Sequence, residues 1–332
     1  MPKVDVLLPS HRANDHLLES VKSILCQSFQ DFQILVVDDS PDKSVTELLD
    51  RHFRDKKIRV IESNARTVEG ALNIGLQYSG AKYIARMDQD DIALPNRFES
   101  QERYMEANPN IAILGSRAFL IDSTGRKTGI LNVPKSDKSI KDSLLHLQNP
   151  MVHPTIFINR DILGEFVYPD GATYMEDLAL WISLIDKARF SNIPNVLLKY
   201  RISEFQNSKN KPNESSMNEL VRLLQETNRF ALLTENSRSD VLEYYEELLK
   251  SRPGMDLYSD FLNVHRIAVI DLKFGSKYLK DFVGSNGLKI STSYFLRTIR
   301  NSDRKMLDLL IMGRVLPKQL LKGFLRKLIG VN

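Results

Sequence analysis

Ile84-Ala85-Arg86-Met87-Asp88-Gln89-Asp90-Asp91 is the stretch on which the reading of this chain turns. An apolar run with strand character ends in three carboxylates, Asp88, Asp90 and Asp91. Acids this close repel one another unless a cation sits among them. The carboxyl ends of parallel strands are where open α/β sheets bind ligands. One reading is a divalent metal that holds a phosphorylated substrate. The other is a solvated acidic turn that caps the next helix.

The sequence on the N-terminal side supplies the sheet. Val4–Leu8 reads as a short apolar strand that stops at Pro9. Asp15 opens a helix with Leu17, Val21, Ile24 and Leu25 on one face. Ile34–Val37 is a second buried strand, followed by Asp38-Asp39 and a turn at Ser40-Pro41-Asp42. A helix carrying Val45, Leu48 and Leu49 follows, then a strand at Ile58–Ile61, a helix over 67–79 and a strand at Tyr83–Met87. This alternation predicts an α/β fold, Rossmann-like, with a mostly parallel sheet and helices on both faces. It puts Asp38 and Asp39 on the same sheet edge as the acids of 88–91.

Beyond residue 92 the pattern is mixed. Short strands are expected at Ile111–Leu114, Ala118–Ile121 and Thr155–Ile158, and a helix from Asp161. An apolar helix opens at Glu176-Asp177, and Val196–Arg201 closes the domain as a strand. From Pro212 onward only helices are expected. The division is an α/β domain over 1–208 and a helical C-terminal region over 209–332.

Composition narrows the class. A chain of 332 residues, 42% hydrophobic and 27% charged, is that of an ordinary soluble globular protein. The net charge of +4 gives no support to a nucleic-acid partner. The charge is unevenly placed, with 14 Lys/Arg against 4 Asp over 264–332, which leaves the first 263 residues near −6. The single cysteine, Cys26, rules out an intrachain disulfide framework, points to a reducing cytoplasmic setting and reads as a core residue. Neither a signal peptide nor an apolar run of about 18 residues is expected.

Several short motifs then fall in one order: Pro9-Ser10 after the first strand, Gln27-Ser28-Phe29, Val36-Val37-Asp38-Asp39-Ser40, Asn73-x-Gly75, Met87-Asp88-x-Asp90-Asp91, Glu176-Asp177-Leu178-x-Leu180-Trp181, and Tyr200-Arg201. Each alone is weak. Together the order resembles the family 2 glycosyltransferases over about residues 1–205. The resemblance implies the glycosyltransferase-A fold, a nucleotide-sugar donor, a divalent cation and inversion at the anomeric carbon.

It also implies roles. Asp90 is the first choice for the metal, Mn²⁺ or Mg²⁺, and Asp88 contacts the metal or the donor ribose. Asp39 hydrogen-bonds the nucleotide base, with Pro9, Ser10 and His11 beside it. His11 stands where relatives often carry a Tyr, and Arg12 where they carry Asn. Asn73 is either a substrate contact or a helix-packing residue. Asp177 is the base that takes the acceptor hydroxyl proton, with Glu176 positioning it; both acids also suit a helix N-terminus on dipole grounds. His153, Trp181 and Arg201 are possible substrate contacts, with core packing as the other reading for Trp181 and a structural hydrogen-bonded imidazole for His153. Many relatives have a His two residues after Tyr-Arg, where this chain has Ser203.

The tail interleaves Leu316, Leu320, Leu321, Phe324, Leu325 and Leu328 with Lys318, Lys322, Arg326 and Lys327. A basic amphipathic helix of this kind suits an anionic membrane surface, or packs on its own domain with solvated lysines. The expectation is an inverting transferase that moves sugar from a UDP-sugar to a glycan, plausibly lipid-linked, at the inner face of a bacterial membrane. A nucleotidyltransferase and a non-catalytic nucleotide- or glycan-binding relative are the alternatives. The first would want an early glycine- and lysine-rich phosphate loop, which Pro9-Ser10-His11-Arg12 does not provide.

Overall fold

The computed structural model describes residues 1–145 and 148–202, with residues 216, 219, 220, 222, 223, 226 and 227. The boundary expected after residue 208 and the basic tail lie outside the described residues.

Strands β1 (Val4–Ser10), β2 (Phe32–Asp38), β3 (Ile58–Glu62) and β4 (Tyr83–Arg86) form the parallel half of one nine-stranded sheet, in the order β3-β2-β1-β4. Helices α1 (Asp15–Leu25), α2 (Ser44–His52) and α3 (Val68–Tyr78) make the crossovers. The second half is mixed, which limits the expected parallel character to the first four strands. It contains β5 (Ile92–Ala93), β6 (Ile113–Ile121), β7 (Lys127–Leu131), β8 (Phe157–Asn159) and β9 (Phe190–Arg201). β8 runs antiparallel to β4 and β6, β9 runs parallel to β6, and β5 and β7 pair antiparallel with β9 and β6.

Helices cover both faces because both side-chain sets of the central strands are apolar. Val4, Val6 and Leu8 of β1 and Ile34 and Val36 of β2 pack with Leu17, Val21 and Ile24 of α1 and Val45 and Leu49 of α2. Each such buried side chain contributes about 1.5–3 kcal/mol. The opposite set includes Leu7 and Val37, and here α3 comes in at Gly75. A Cβ at Gly75 would lie 2.2 Å from Leu7 Cδ1 and 2.8 Å from Val37 Cγ2. Asn73-x-Gly75 is thus partly a packing motif.

Four local expectations change. Asn14, not Asp15, caps α1, its side chain accepting from the Leu17 amide. Cys26 is exposed at the end of α1 rather than buried. The two short strands at 111–121 are one continuous β6. Helices α4 (Arg97–Ala107) and α5 (Asp137–Leu145), and strand β7, carry too little apolar periodicity to be read from sequence. Two short elements, a 3-10 turn at His153–Thr155 and α6 (Arg160–Leu163), flank β8, and α7 (Glu176–Ser183) precedes β9. Among the described residues no helix is long and apolar enough to cross a membrane.

Gly75→Ala should lower stability by about 1–3 kcal/mol through overpacking against Leu7 and Val37. Urea unfolding checks this, and an unchanged midpoint would mean that α3 can move away at little cost.

Candidate active site

The ends of β1 and β2 are joined before any ligand is considered. The Asp39 amide donates to the Ser10 carbonyl at 2.8 Å. The Asp39 carboxylate accepts from the Ser63 hydroxyl at 2.7 Å, just past β3. Gln89 gathers the 10–12 loop, with its side-chain oxygen accepting from Ser10 Oγ at 2.7 Å, the His11 amide at 3.1 Å and the Arg12 amide at 3.4 Å. Pro9, Ser10, His11 and Asp39 therefore share one sheet edge with the acidic loop after β4. Asp38 is different. It is buried and accepts from Ser40 and Thr46, so it shapes the start of α2.

Arg86 is the centre of the acidic group. Its side chain is 4% exposed, and Nη1 contacts Asp88 Oδ2. Burial works against its charge, but Asp88, the Tyr168 phenol and Glu176 together outweigh it and hold the guanidinium protonated. The backbone around Arg86 is fixed from two directions. Its amide donates to the Ile156 carbonyl at 2.9 Å, and its carbonyl accepts from Arg97 Nη2 at 2.7 Å. The Asp88 carbonyl accepts from Ser20 Oγ of α1 at 2.9 Å.

α7 brings the second acidic pair. The Asp177 carboxylate accepts from the Asn149 side chain, and from the Leu178 amide at 2.6 Å. His153 is buried, with Nε2 2.9 Å from the Tyr168 hydroxyl and its ring edge-on to Trp181 of α7. Asn73 holds the Tyr168 main chain in both directions, donating to its carbonyl at 2.9 Å and accepting from its amide at 2.8 Å. The turn Ala172–Met175, closed by the Met175 amide on the Ala172 carbonyl at 2.8 Å, leads into α7. Its third residue, Tyr174, has φ +67°. For a bulky side chain this left-handed conformation costs on the order of 1 kcal/mol.

The structure bears on four of the possible substrate contacts. Trp181 is 0% exposed and packs on His153 and Phe190, so it supports the site from the core without reaching a substrate. Arg201 is also buried. Its guanidinium meets Glu19 at 2.5 Å, the Asp90 carbonyl at 2.8 Å, and the Asp122 and Ser123 carbonyls. It straps the acidic loop rather than binding phosphate. Asn73 uses both ends of its amide on Tyr168, which favours positioning over donor contact. His153 is the hydrogen-bonded imidazole, and burial together with Arg86 pulls its pKa well below the usual value, keeping it neutral.

The model for glycosyl transferase family 2 matches residues 5–166. An uncharacterized glycosyltransferase of Methanocaldococcus jannaschii is 33% identical over 215 residues, covering 62% of this chain and 73% of that protein. This chain belongs to glycosyl transferase family 2. The Escherichia coli UDP-Glc:alpha-D-GlcNAc-diphosphoundecaprenol beta-1,3-glucosyltransferase WfgD is 28% identical over 212 residues, 63% of this chain and 80% of its own length. The crystal structure of S. aureus TarS 1-349 in complex with UDP-GlcNAc superposes with a TM-score of 0.55 at 15% identity, covering 94% of this chain and 87% of that one. At that identity the likeness speaks for the fold alone, the glycosyltransferase-A fold. The family match ends before Glu176, so the acids of α7 are argued from their own geometry.

Electrostatics separate the carboxylates of this glycosyltransferase. Burial and the Asp177 charge push Glu176 up to about 8, so it holds a proton at neutral pH. Asp177 is raised by burial as well, but the Leu178 amide and Asn149 work toward its ionised form. Of the pair, Asp177 is the one equipped to carry the charge. Burial and Asp88 raise Asp90 to about 6. Asp91 is buried, accepts the Arg201 amide at 2.8 Å and leaves Oδ2 without a hydrogen-bond partner among the described residues. It therefore does more than cap a turn.

These donors fit a hard divalent cation in one respect. Asp90, whose ionised form is disfavoured by burial and by the Asp88 charge, is a carboxylate that a cation would relieve. Among the described residues no three acids or imidazoles converge as a ready-made metal cage. Mg²⁺ and Mn²⁺ take much of their coordination from substrate phosphates and water, so Asp88 and Asp90 would supply only part of a shell.

Residues 88–91 and 176–177 are visible in the sequence as acid clusters. Arg86, Gln89, Ser63, Tyr168 and Asn149 were missed. Arg86 and Gln89 lie inside the opening stretch, and a cation on a strand beside three acids is the signal that marks the first.

The native state binds the Glu176 proton more tightly than an unfolded chain with the ordinary value of 4.5. That stabilisation is complete below pH 4.5 and is lost as pH rises through about 8. Glu176→Gln should match wild type in Tm near pH 5 and exceed it at pH 9. An equal Tm difference at both pH values would contradict the assignment.

Proposed function

We propose that the chain is an inverting, metal-dependent transferase that moves a sugar from a UDP-sugar to a glycan carried on a lipid diphosphate, in bacterial surface polysaccharide assembly. The observation that carries this reading is the meeting of two acid groups around Arg86. One group follows β4 and suits a metal-bound diphosphate. The other opens α7 and suits an acceptor hydroxyl. The WfgD name, with its UDP-Glc donor and diphosphoundecaprenol acceptor, supports the substrate class, as does the UDP-GlcNAc held by TarS.

In this reading Asp39, supported by Ser63, accepts from the ring N–H of the base, and the loop 9–12, held by Gln89, borders it. Asp90, with Asp88 beside it, holds Mn²⁺ or Mg²⁺. The cation supplies Lewis-acid neutralisation of the departing diphosphate. Asp177 removes the acceptor proton as the hydroxyl attacks the anomeric carbon from the face opposite the nucleotide. Glu176, protonated, donates to the acceptor or to Asp177. Arg201 and Asn73 keep the two loops in place. The tail over 264–332, with its excess of basic residues, makes peripheral contact with an anionic membrane at the cytoplasmic face.

Asp177→Asn should reduce transfer by roughly 10²–10⁴-fold while leaving UDP-sugar binding intact. Transfer and a thermal-shift panel of UDP-, GDP- and dTDP-sugars with and without Mn²⁺ are the measurements. UDP-sugars with Mn²⁺ should raise Tm most. A fully active Asp177→Asn would sink the base assignment, and stabilisation by GDP-sugars alone would sink the UDP assignment. The rate should rise with pH as Asp177 ionises and fall again above about 8 as Glu176 loses its proton. A rate that falls over pH 6–8 would contradict a carboxylate base.

A further inference from the structure

We propose that Tyr174 is a stacking platform for a sugar ring of the acceptor. The inference rests on the reading of Glu176 and Asp177 as the transfer site, and it adds a residue that reading does not use.

Tyr174 is held where it is by its neighbours. Ala172 and Met175 are 1% and 4% exposed, so the turn is anchored inward on both sides. The Thr173 hydroxyl donates to Glu69 Oε1 at 2.8 Å, and the Thr173 carbonyl accepts from Ser216 Oγ at 2.8 Å. Between these anchors the backbone at Tyr174 takes φ +67°, and the side chain remains 39% exposed. The third position of a turn with positive φ there is ordinarily filled by Gly or Asn. A tyrosine accepts the backbone strain while more than a third of its surface stays exposed. Strain of this kind at a non-glycine residue concentrates at ligand sites.

The place matters as much as the strain. Three peptide steps separate Tyr174 from Asp177, so their Cα atoms lie within about 11 Å. An acceptor hydroxyl beside Asp177 carries its pyranose, or the next one, into the neighbourhood of that ring. One face of a pyranose is a patch of polarised C–H groups, which packs on the electron-rich face of an aromatic. The phenol hydroxyl is a polar handle for a sugar hydroxyl. A diphosphate gains nothing from such a surface, and the proposed function has the nucleotide base at Asp39, so the occupant proposed is the glycan end of the acceptor.

The test uses the full chain with UDP and Mg²⁺, and methyl glycosides of glucose, galactose, N-acetylglucosamine and rhamnose as probes, read by saturation-transfer NMR and titration. Wild type should bind at least one glycoside. Tyr174→Ala should weaken that Kd about tenfold, and Tyr174→Phe should stay within about twofold. Tyr174→Gly should lose binding like the Ala variant, with a Tm no lower than wild type because the turn is relieved. Indifference of glycoside binding to Tyr174→Ala, or no binding of any glycoside by wild type, overturns the platform. Failure of the transfer reading is seen separately, as a wild-type Tm that no UDP-sugar raises.

Discussion

A buried guanidinium among carboxylates is the constraint on which the site depends. Arg86 lies on the last residue of β4, with its side chain nearly enclosed and Nη1 against Asp88. A cation in that position must be matched by negative charge, since an unpaired buried ion is costly. The match comes from two separate parts of the chain, the loop after β4 and the start of α7. Arg86 also favours the ionised forms of Asp90, Asp91, Glu176 and Asp177, and disfavours a charge on His153. One residue thus opposes, at the acids after β4 and at the start of α7, the burial that raises them, and adds to burial at the imidazole.

The rest of the architecture keeps those parts in register. Arg97 and Ile156 hold the Arg86 main chain, and Arg201 reaches from the end of β9 to the carbonyl of Asp90 and the carboxylate of Asp91. Asn73, at the packing face of α3, holds Tyr168, which in turn meets His153. Gln89 links the same loop to the β1 edge. These contacts are made by buried or half-buried side chains on regular elements, so the acids are positioned before substrate arrives. That is what electrostatic preorganisation requires.

The parallel half of the sheet was legible because its strands are short unbroken apolar runs and its helices have a clear 3.6-residue face. Asp39 and the 88–91 acids were correctly put on one edge for the same reason. The second half was harder. α4 carries Arg97 and Gln101 as buried polar residues, so its inward face does not read as apolar. β7 is mostly exposed and shows no strand alternation. At the site, residue type alone could not tell a substrate-binding Arg or Trp from a structural one. Arg201 and Trp181 are both fully enclosed, and only burial and partners separate them from Asp90 and Asp177. Arg86 stands two residues from Asp88, but a lone Arg on a strand carries no mark in the sequence of being buried against acids.

The pH dependence of kcat/KM for UDP-sugar transfer in Arg86→Met, beside wild type, tests this account most directly. Circular dichroism would first establish that the variant is folded. Removal of the buried cation should leave the acid pair of α7 harder to ionise, moving the ascending limb of the profile to higher pH by about one unit and lowering the rate at neutral pH. An ascending limb at the wild-type pH in a folded Arg86→Met variant would contradict the claim that Arg86 favours the ionised acids of the site.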